Sequence, residues 1–340
     1  MNTSQKVNKS TQPNASHFWN WCLAFVIGAI CLSFGARAED TSASESSWID
    51  LVDQPSRKEL FKRVIEAAHA EDAKQPNRPL PVEFAIPKEF FFPVDAAFDK
   101  ILKKKRENTI FGIDISHHDS DDGKHLDFSV LLDKRVDFVY AKATQGVKFK
   151  DSKFGFYWKT LGDLKREQKP LRGAYHFLSA LDDGKEQAER FVQYVNLQGG
   201  FKEDDMPPCL DLEWDVVRGN SDQWQGQSPE KILGSTLAWL KRTKELTGRT
   251  PMVYTARSWW NDRHIPESKF ALLNEYPVWI ADYSRSHKAS EKPAIINSRT
   301  QSLWQFADDA QLTDGYQGKL DANIFYGSRE EFNKTFGLSR

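Results

Sequence analysis

The chain has 340 residues, of which 39% are hydrophobic and 28% are charged, a composition typical of a globular protein with one large core. Its 47 basic and 48 acidic residues give a formal net charge of -1 at pH 7. Such a balanced charge provides no basic surface for a polyanion, so we expect no nucleic-acid partner.

An apolar run from Trp21 to Phe34 follows an N-terminal region whose charges are Lys6 and Lys9. The run is about 14 residues long, shorter than the roughly 20 that span a bilayer, and it ends at Ala36-Arg37-Ala38. This layout predicts a signal peptide over residues 1–38 and an exported protein, periplasmic or secreted. A retained segment that anchors the chain in the inner membrane is the alternative.

Cleavage after Ala38 would remove Cys22 and Cys31 and leave Cys209 as the last cysteine of the mature chain. An internal disulfide is then impossible, although an exported compartment would permit one. Because Cys209 lies in an apolar run, we interpret it as a buried packing residue rather than a nucleophile.

Residues 39–107 differ in composition and residue pattern from the rest of the chain. A Ser-rich start precedes a helix-like piece from Arg57 to Ala70, and prolines then punctuate the chain from Pro76 to Pro93. We interpret this region as an N-terminal extension, either a linker or a packing segment. The basic cluster Lys103–Arg106 is interpreted as a solvated helix end.

From Thr109 onward, short β-rich runs alternate with helical patterns, which predicts an α/β domain with a parallel sheet or a barrel. The later connections are short, so a barrel would be irregular. The eight runs are Phe111 to Ser116, Phe138 to Thr144, Gly173 to Leu178, Pro208 to Trp214, Met252 to Ala256, Val278 to Tyr283, Leu303 to Phe306 and Lys319 to Phe325.

Three helices are predicted between these runs. Apolar residues recur at helical spacing from Phe154 to Leu164, and Pro170 is expected to stop this helix. The same spacing recurs from Ala188 to Val195. The longest helix opens with Ser228 as its cap and Pro229 in its first turn, and it ends at Gly248.

The run Cys209 to Trp214 carries the strongest chemical signal. A strand has a period of two, so Cys209, Asp211 and Glu213 would share one face, with the two carboxyl groups roughly 7 Å apart. Burying two acids is costly unless a function or an ion pair compensates, and this pattern alone leaves both readings open.

Two further acids lie in the first and last runs, Asp114 and Asp321. In a closed barrel these two runs are neighbours, so Asp114 and Asp321 would lie at the same mouth of the barrel as Asp211 and Glu213. Barrel active sites lie at the carboxyl ends of strands, and glycosidases use paired carboxyl groups. The alternative is a site for a hard cation, but no loop has calcium-binding spacing.

Aromatic and polar side chains at the ends of the same runs could bind a sugar, since flat rings with polar edges suit sugar faces. The run His117-His118-Asp119 matches no metal-binding spacing, so we predict no metal and no other cofactor. The predicted substrate-binding residues are Tyr175, Tyr254, Trp279, Asp282, Trp304 and Gln305.

The sequence resembles the family 25 glycoside hydrolases, which are lysozymes of the N-acetylmuramidase type. The resemblance spans about residues 109 to 338 and leaves residues 39–107 unexplained. The matching segments, in family order, are Gly112–His117, Lys142–Gly146, Gly173–Phe177, Leu210–Glu213, Val278–Ala281, Trp304-Gln305 and Asp321–Asn323.

This resemblance implies an irregular TIM-like (β/α) barrel over residues 108–338 that cleaves the β-1,4 bond after N-acetylmuramic acid. It implies that Glu213 is the proton donor, Asp211 its partner, and Asp114 and Asp321 the remaining active-site acids. Gln145 stands where the family frequently has Glu, which leaves the subsite preferences open.

The expected partner is the glycan strand of peptidoglycan, acted on by a monomer. A hydrolase of another N-acetylated glycan such as chitin and an inactive glycan-binding barrel are the alternatives. Because Asp211 and Glu213 project from one strand, we expect a substrate-assisted, retaining mechanism, and inversion with Asp114 or Asp321 as base is the competing route.

Overall fold

The computed structural model describes residues 62–74, 85–216 and 222–339, which belong to one compact unit running from Ser42 to Arg340. The predicted signal peptide and the start of the helix-like piece at Arg57 lie outside the described residues. Within the described ranges, no helix is long and apolar enough to cross a membrane.

The described elements follow in chain order. The helices are α1 (62–73), α2 (Val94–Ala97), α3 (Phe154–Asp163), α4 (Gly184–Leu197), α5 (Pro229–Thr247), α6 (Arg257–Asp262), α7 (Arg285–Ser290) and α8 (Arg329–Phe336). The strands are β1 (Phe91–Phe92), β2 (Phe98–Asp99), β3 (Lys104–Lys105), β4 (Thr109–Ile115), β5 (Phe138–Gln145), β6 (Phe149–Lys150), β7 (Leu171–Phe177), β8 (Cys209–Asp211), β9 (Met252–Thr255), β10 (Val278–Ala281), β11 (Leu303–Leu312) and β12 (Leu320–Tyr326).

Eight strands close into a barrel in the order β4, β5, β7, β8, β9, β10, β11 and β12, with β12 returning to β4. The pairs from β4 to β11 are parallel, as in a (β/α) barrel. The last strand differs, because β12 runs antiparallel to both β11 and β4. The predicted irregular barrel is thus confirmed.

The barrel strands are buried on both faces, as is typical of a sheet with helices outside and a packed interior. All eight residues of β5 are buried, for example. Each predicted run overlaps a barrel strand, and two lengths differ most: β8 is only three residues long, and β11 extends six residues beyond the predicted end at Phe306. The extension of β11 pairs with β12 through two register shifts.

The helix signals in the sequence are confirmed for α5, whose first turn is capped by the Ser228 side chain and which ends at Gly248 with φ of 69°. Helix α3 ends earlier than its pattern predicts. Leu164 already has extended backbone with ψ of 146°, so Pro170 is not what stops the helix.

The extension packs against the barrel from residue 85 onward. Strand β1 pairs parallel with β11, and the rings of Phe90 and Phe92 are fully buried against Phe111. Phe90 and Phe92 thus attach this part of the chain to the barrel.

The basic cluster is not a helix end, which corrects the prediction for Lys103–Arg106. Lys104 and Lys105 form β3, which pairs with β2, and Arg106 is buried. The Arg106 guanidinium donates to the carbonyl oxygens of Asp95 and Ala85, which holds the start of the extension in place.

Candidate active site

Four carboxyl groups line one cavity at the barrel mouth. Asp114 lies near the end of β4, Asp211 ends β8, Glu213 follows two residues later, and Asp321 lies near the start of β12. Each of the four is only 5–7% exposed. The structure thus brings all four predicted acids into one site.

Asp321 reaches the mouth because β12 is antiparallel. Asp321 and Asp114 are direct partners across the β12–β4 pair. A parallel β12 would have placed its second residue at the opposite end of the barrel, since parallel strands present their starts at one end and their finishes at the other.

The alternation predicted for Cys209 to Trp214 continues beyond the short strand. Cys209, Asp211 and Glu213 all line the cavity, while Leu212 is buried in the core. The Leu212 amide donates to the Tyr254 carbonyl oxygen at 2.9 Å, which keeps the backbone extended after β8 ends. Cys209 is a buried free thiol, as expected.

Asp114 is held by side-chain amides. Gln305 Nε2 donates to both of its oxygens at 2.9 and 3.0 Å, and Asn323 Nδ2 donates to Oδ1 at 2.7 Å. Gln305 is oriented in turn by the hydroxyl groups of Tyr254 and Tyr283, which donate to its Oε1. This network fixes the orientation of the Asp114 carboxyl group.

Glu213 has the opposite environment. Burial raises its pKa well above the ordinary value, the carboxyl groups of Asp211, Asp321 and Asp114 raise it further, and only Lys142 opposes them. Burial likewise raises the pKa of Asp211, Lys142 lowers it, and Asp114 raises it. In the described residues, Asp211 Oδ1 has no hydrogen-bond partner. Burial and mutual repulsion therefore favour the protonated forms of both Glu213 and Asp211.

Lys142 brings a cation into this acidic cavity. Its Nζ donates to Gln145 Oε1 at 2.9 Å and lies 5.2 Å from the ring centroids of both Phe149 and Phe177. The positive charge of Lys142 lowers the pKa of both Asp211 and Glu213.

The sequence profile of the glycosyl hydrolases family 25 matches residues 113–315, which contain seven of the eight barrel strands in whole or in part. The chain belongs to this family. It is a glycoside hydrolase, and its four-carboxyl cavity lies where barrel enzymes carry out their chemistry.

The similarity extends to relatives and solved structures. The chain is 30% identical over 228 residues to Escherichia coli (strain K12) "Uncharacterized protein YegX", covering 66% of this chain and 72% of the relative. It is 27% identical to the N,O-diacetylmuramidase of Chalaropsis, covering 66% and 98%. The crystal structure of the bacterial lysozyme from Streptomyces coelicolor matches with a TM-score of 0.55 at 26% identity, covering 67% and 96%.

Four of the six residues predicted to bind substrate line the cavity of this family 25 hydrolase: Tyr175, Tyr254, Trp279 and Gln305. The other two do not. Trp304 is fully buried beside Phe306 and donates its Nε1 to the Asp282 carbonyl oxygen. The Asp282 carboxylate accepts from the backbone amides of Ser284 and Ala294, so it shapes the loop after β10.

Several residues that line the cavity were missed by the sequence reasoning. Phe177 and Tyr283 end β-rich runs just as the predicted aromatic residues do, so the same signal could have found them. Lys142 lies in a matching family segment. His118 also lines the cavity, in the 3-10 helix His117–Gly123 at the barrel rim.

The neighbouring histidine is held by a carboxylate. His117 Nδ1 lies 2.8 Å from Asp151 Oδ2, and the same carboxylate accepts the His117 backbone amide at 2.9 Å. Among the described residues, no three His, Cys, Asp or Glu side chains are arranged to hold a metal ion.

Proposed function

We propose that this chain is an N-acetylmuramidase that hydrolyses the β-1,4 bond between N-acetylmuramic acid and N-acetylglucosamine in peptidoglycan. The observation that carries the proposal is the buried Glu213, whose pKa is raised among three other carboxyl groups. The names lysozyme and N,O-diacetylmuramidase among its relatives support this choice of glycan.

Glu213 acts as the general acid. Its raised pKa favours the protonated carboxyl group, which donates a proton to the glycosidic oxygen as the bond to the anomeric carbon breaks. The resulting carboxylate then accepts a proton from the water that completes hydrolysis.

Asp211 assists the substrate itself. The carbonyl oxygen of the 2-acetamido group attacks the anomeric carbon while the leaving oxygen takes the proton of Glu213, which yields a cyclic oxazolinium intermediate. Asp211 orients the acetamido N–H and stabilises the positive charge that forms. Water then opens the ring from the face that the leaving group vacated, so the product retains its configuration.

The competing mechanism is inversion, in which Asp114 or Asp321 would activate a water across the sugar ring. The hydrogen bonds from Gln305 and Asn323 to Asp114 support a different role, since they already engage the oxygens that such a base would need. Proton NMR of the first-formed reducing sugar separates the routes: we expect the β-anomer, and an initial α-anomer would establish inversion.

The Asp211→Asn variant tests the assisting carboxylate. We expect kcat to fall by about 10²-fold or more, because the charge on the cyclic intermediate loses its stabilising partner. Stopped assays on purified peptidoglycan measure this loss. Activity close to that of the wild type would remove Asp211 from the mechanism while leaving Glu213 as the acid.

The substrate is tested by mass spectrometry of products released from peptidoglycan and reduced with borohydride. A muramidase gives reduced N-acetylmuramic acid at the new ends. Reduced N-acetylglucosamine ends, or faster release from chitin oligomers than from peptidoglycan, would favour another N-acetylated glycan. Binding without any released product would favour an inactive glycan-binding barrel.

We also propose that the chain acts outside the cytoplasm, as a monomer without a cofactor, where peptidoglycan is accessible. The apolar run from Trp21 to Phe34 and Ala36-Arg37-Ala38 support cleavage of the first 38 residues. N-terminal sequencing should find a start near Glu39. An intact Met1 in membrane fractions would establish the anchored form instead.

A further inference from the structure

Helix α1 lies over part of the active-site mouth. Val64 projects from α1 into the lining of the cavity that contains Asp211 and Glu213, and it is only 5% exposed. The next turns of α1 face the segments that follow β9 and β10, where Ala68 and Glu71 lie near Ser258 and Tyr283. The family profile matches residues 113–315, so α1 lies outside the match and yet forms one wall of the site.

With α1 in this position, the cavity is too small for its substrate. Its volume is about 60 Å³, whereas ligand pockets of proteins typically measure about 300–1,000 Å³. The four acids are correspondingly almost inaccessible to solvent. A sugar ring bound against Glu213 would need more space than this, which displacement of α1 would supply.

The apolar attachment of α1 is weak. Val64 is the one fully buried side chain among the described residues of this helix, and the residues around it are mostly alanines or exposed polar side chains. Unfilled space lies under α1 as well, in a cavity of about 20 Å³ beside Tyr283 and a groove of about 460 Å³ beside Trp214. A helix packed so loosely costs little to displace.

Polar contacts instead hold α1 in place: a 3.9 Å ion pair joins Glu71 to Arg257 of α6, and Asp72 makes the hydrogen bonds. The carboxylate of Asp72 accepts hydrogen bonds from the hydroxyl groups of Ser284 and Ser286 at 3.0 and 2.7 Å, and from the backbone amides of Arg285 and Ser286 at 3.2 Å each. One side chain thus joins α1 to the loop that leads into α7. Such a contact exchanges readily with water, so it can be broken and re-formed.

We propose that α1 is a displaceable cover of the active site, held closed by Asp72 and plugged by Val64, which a glycan strand must move aside before hydrolysis. The proposal rests on the proposed muramidase function for the identity of the glycan. If only the uncovered fraction of molecules binds substrate, the apparent affinity falls in proportion to that fraction.

The Asp72→Ala variant tests this cover kinetically. We expect kcat/KM for a soluble peptidoglycan tetrasaccharide to rise about 5- to 10-fold, through a lower KM with little change in kcat, because more molecules are open before binding. The matched control is Glu66→Ala, since Glu66 is an exposed acid on the same helix. An unchanged or raised KM in Asp72→Ala would overturn the proposal.

A second measurement needs no glycan. Cys209 lines the covered cavity and is fully buried, so its alkylation by iodoacetamide reports opening, and peptide mass spectrometry separates it from Cys22 and Cys31. We expect Asp72→Ala to speed labelling of Cys209 by the same factor as kcat/KM, and Glu66→Ala to leave it unchanged. Equal labelling rates in Asp72→Ala and wild type would overturn the cover even if muramidase activity is found. Faster labelling in a protein that releases no muramic acid ends would uphold the cover and reject the substrate.

Discussion

The carboxyl groups on two walls of the same cavity have opposite environments. On the β4–β12 wall, Asp114 receives three hydrogen bonds from the amides of Gln305 and Asn323. On the β8 wall, Asp211 Oδ1 has no hydrogen-bond partner in the described part of the chain, and burial raises the pKa of Glu213. Asp114 is thus surrounded by hydrogen-bond donors, whereas burial and the neighbouring carboxyl groups favour the protonated form of Glu213.

The Glu213→Gln variant should have the largest effect on this contrast. Gln keeps the shape and removes the transferable proton, so we expect kcat to fall by about 10²- to 10⁴-fold while the fold and glycan binding persist. Release of reducing ends measures activity, and circular dichroism checks the fold. Glu245→Gln, an exposed position on α5, is the matched control. Near wild-type activity in Glu213→Gln would remove this residue from the acid role.

Substitutions on the other wall should have smaller effects. In Asp114→Asn the new amide faces the donors of Gln305 and Asn323, so we expect kcat/KM to fall about 10- to 100-fold through lost charge and a disturbed network. Asp321→Asn should also lower kcat/KM, because Asp321 is one of the charges that raise the pKa of Glu213. If both variants were as active as wild type, the four-carboxyl site would be wrong.

The smallest expected effect is a shift of the pH profile in Lys142→Met. Lys142 lowers the pKa of Glu213, so its removal raises that pKa and keeps the acid protonated to higher pH. The basic limb of kcat/KM against pH should therefore move to higher pH, by about one unit or less. Lys148→Met, at an exposed position, should leave the limb in place. A shift of the Lys142→Met limb to lower pH would contradict the sign of this interaction.

The amino-acid sequence determined most of the barrel and indicated all four of its acids. Local patterns are sufficient for such features, because strand alternation, a Ser228 cap and a Gly248 terminus depend on neighbouring residues alone. The same alternation placed Asp211 and Glu213 on one face, and the cavity contains both. Aromatic residues at strand ends were a weaker guide, since the same pattern fits Tyr254 in the cavity and Trp304 in the core.

Tertiary structure decided the direction of β12 and hence the position of Asp321. Alternation has the same period in either direction, so only the preceding connection distinguishes the two. The predicted end of β11 at Phe306 left room for a crossover, which needs about a dozen residues, whereas the strand continues to Leu312 and leaves only a short link. The position of α1 could not be predicted from the sequence either, because Val64 and Asp72 contact barrel residues that are distant along the chain.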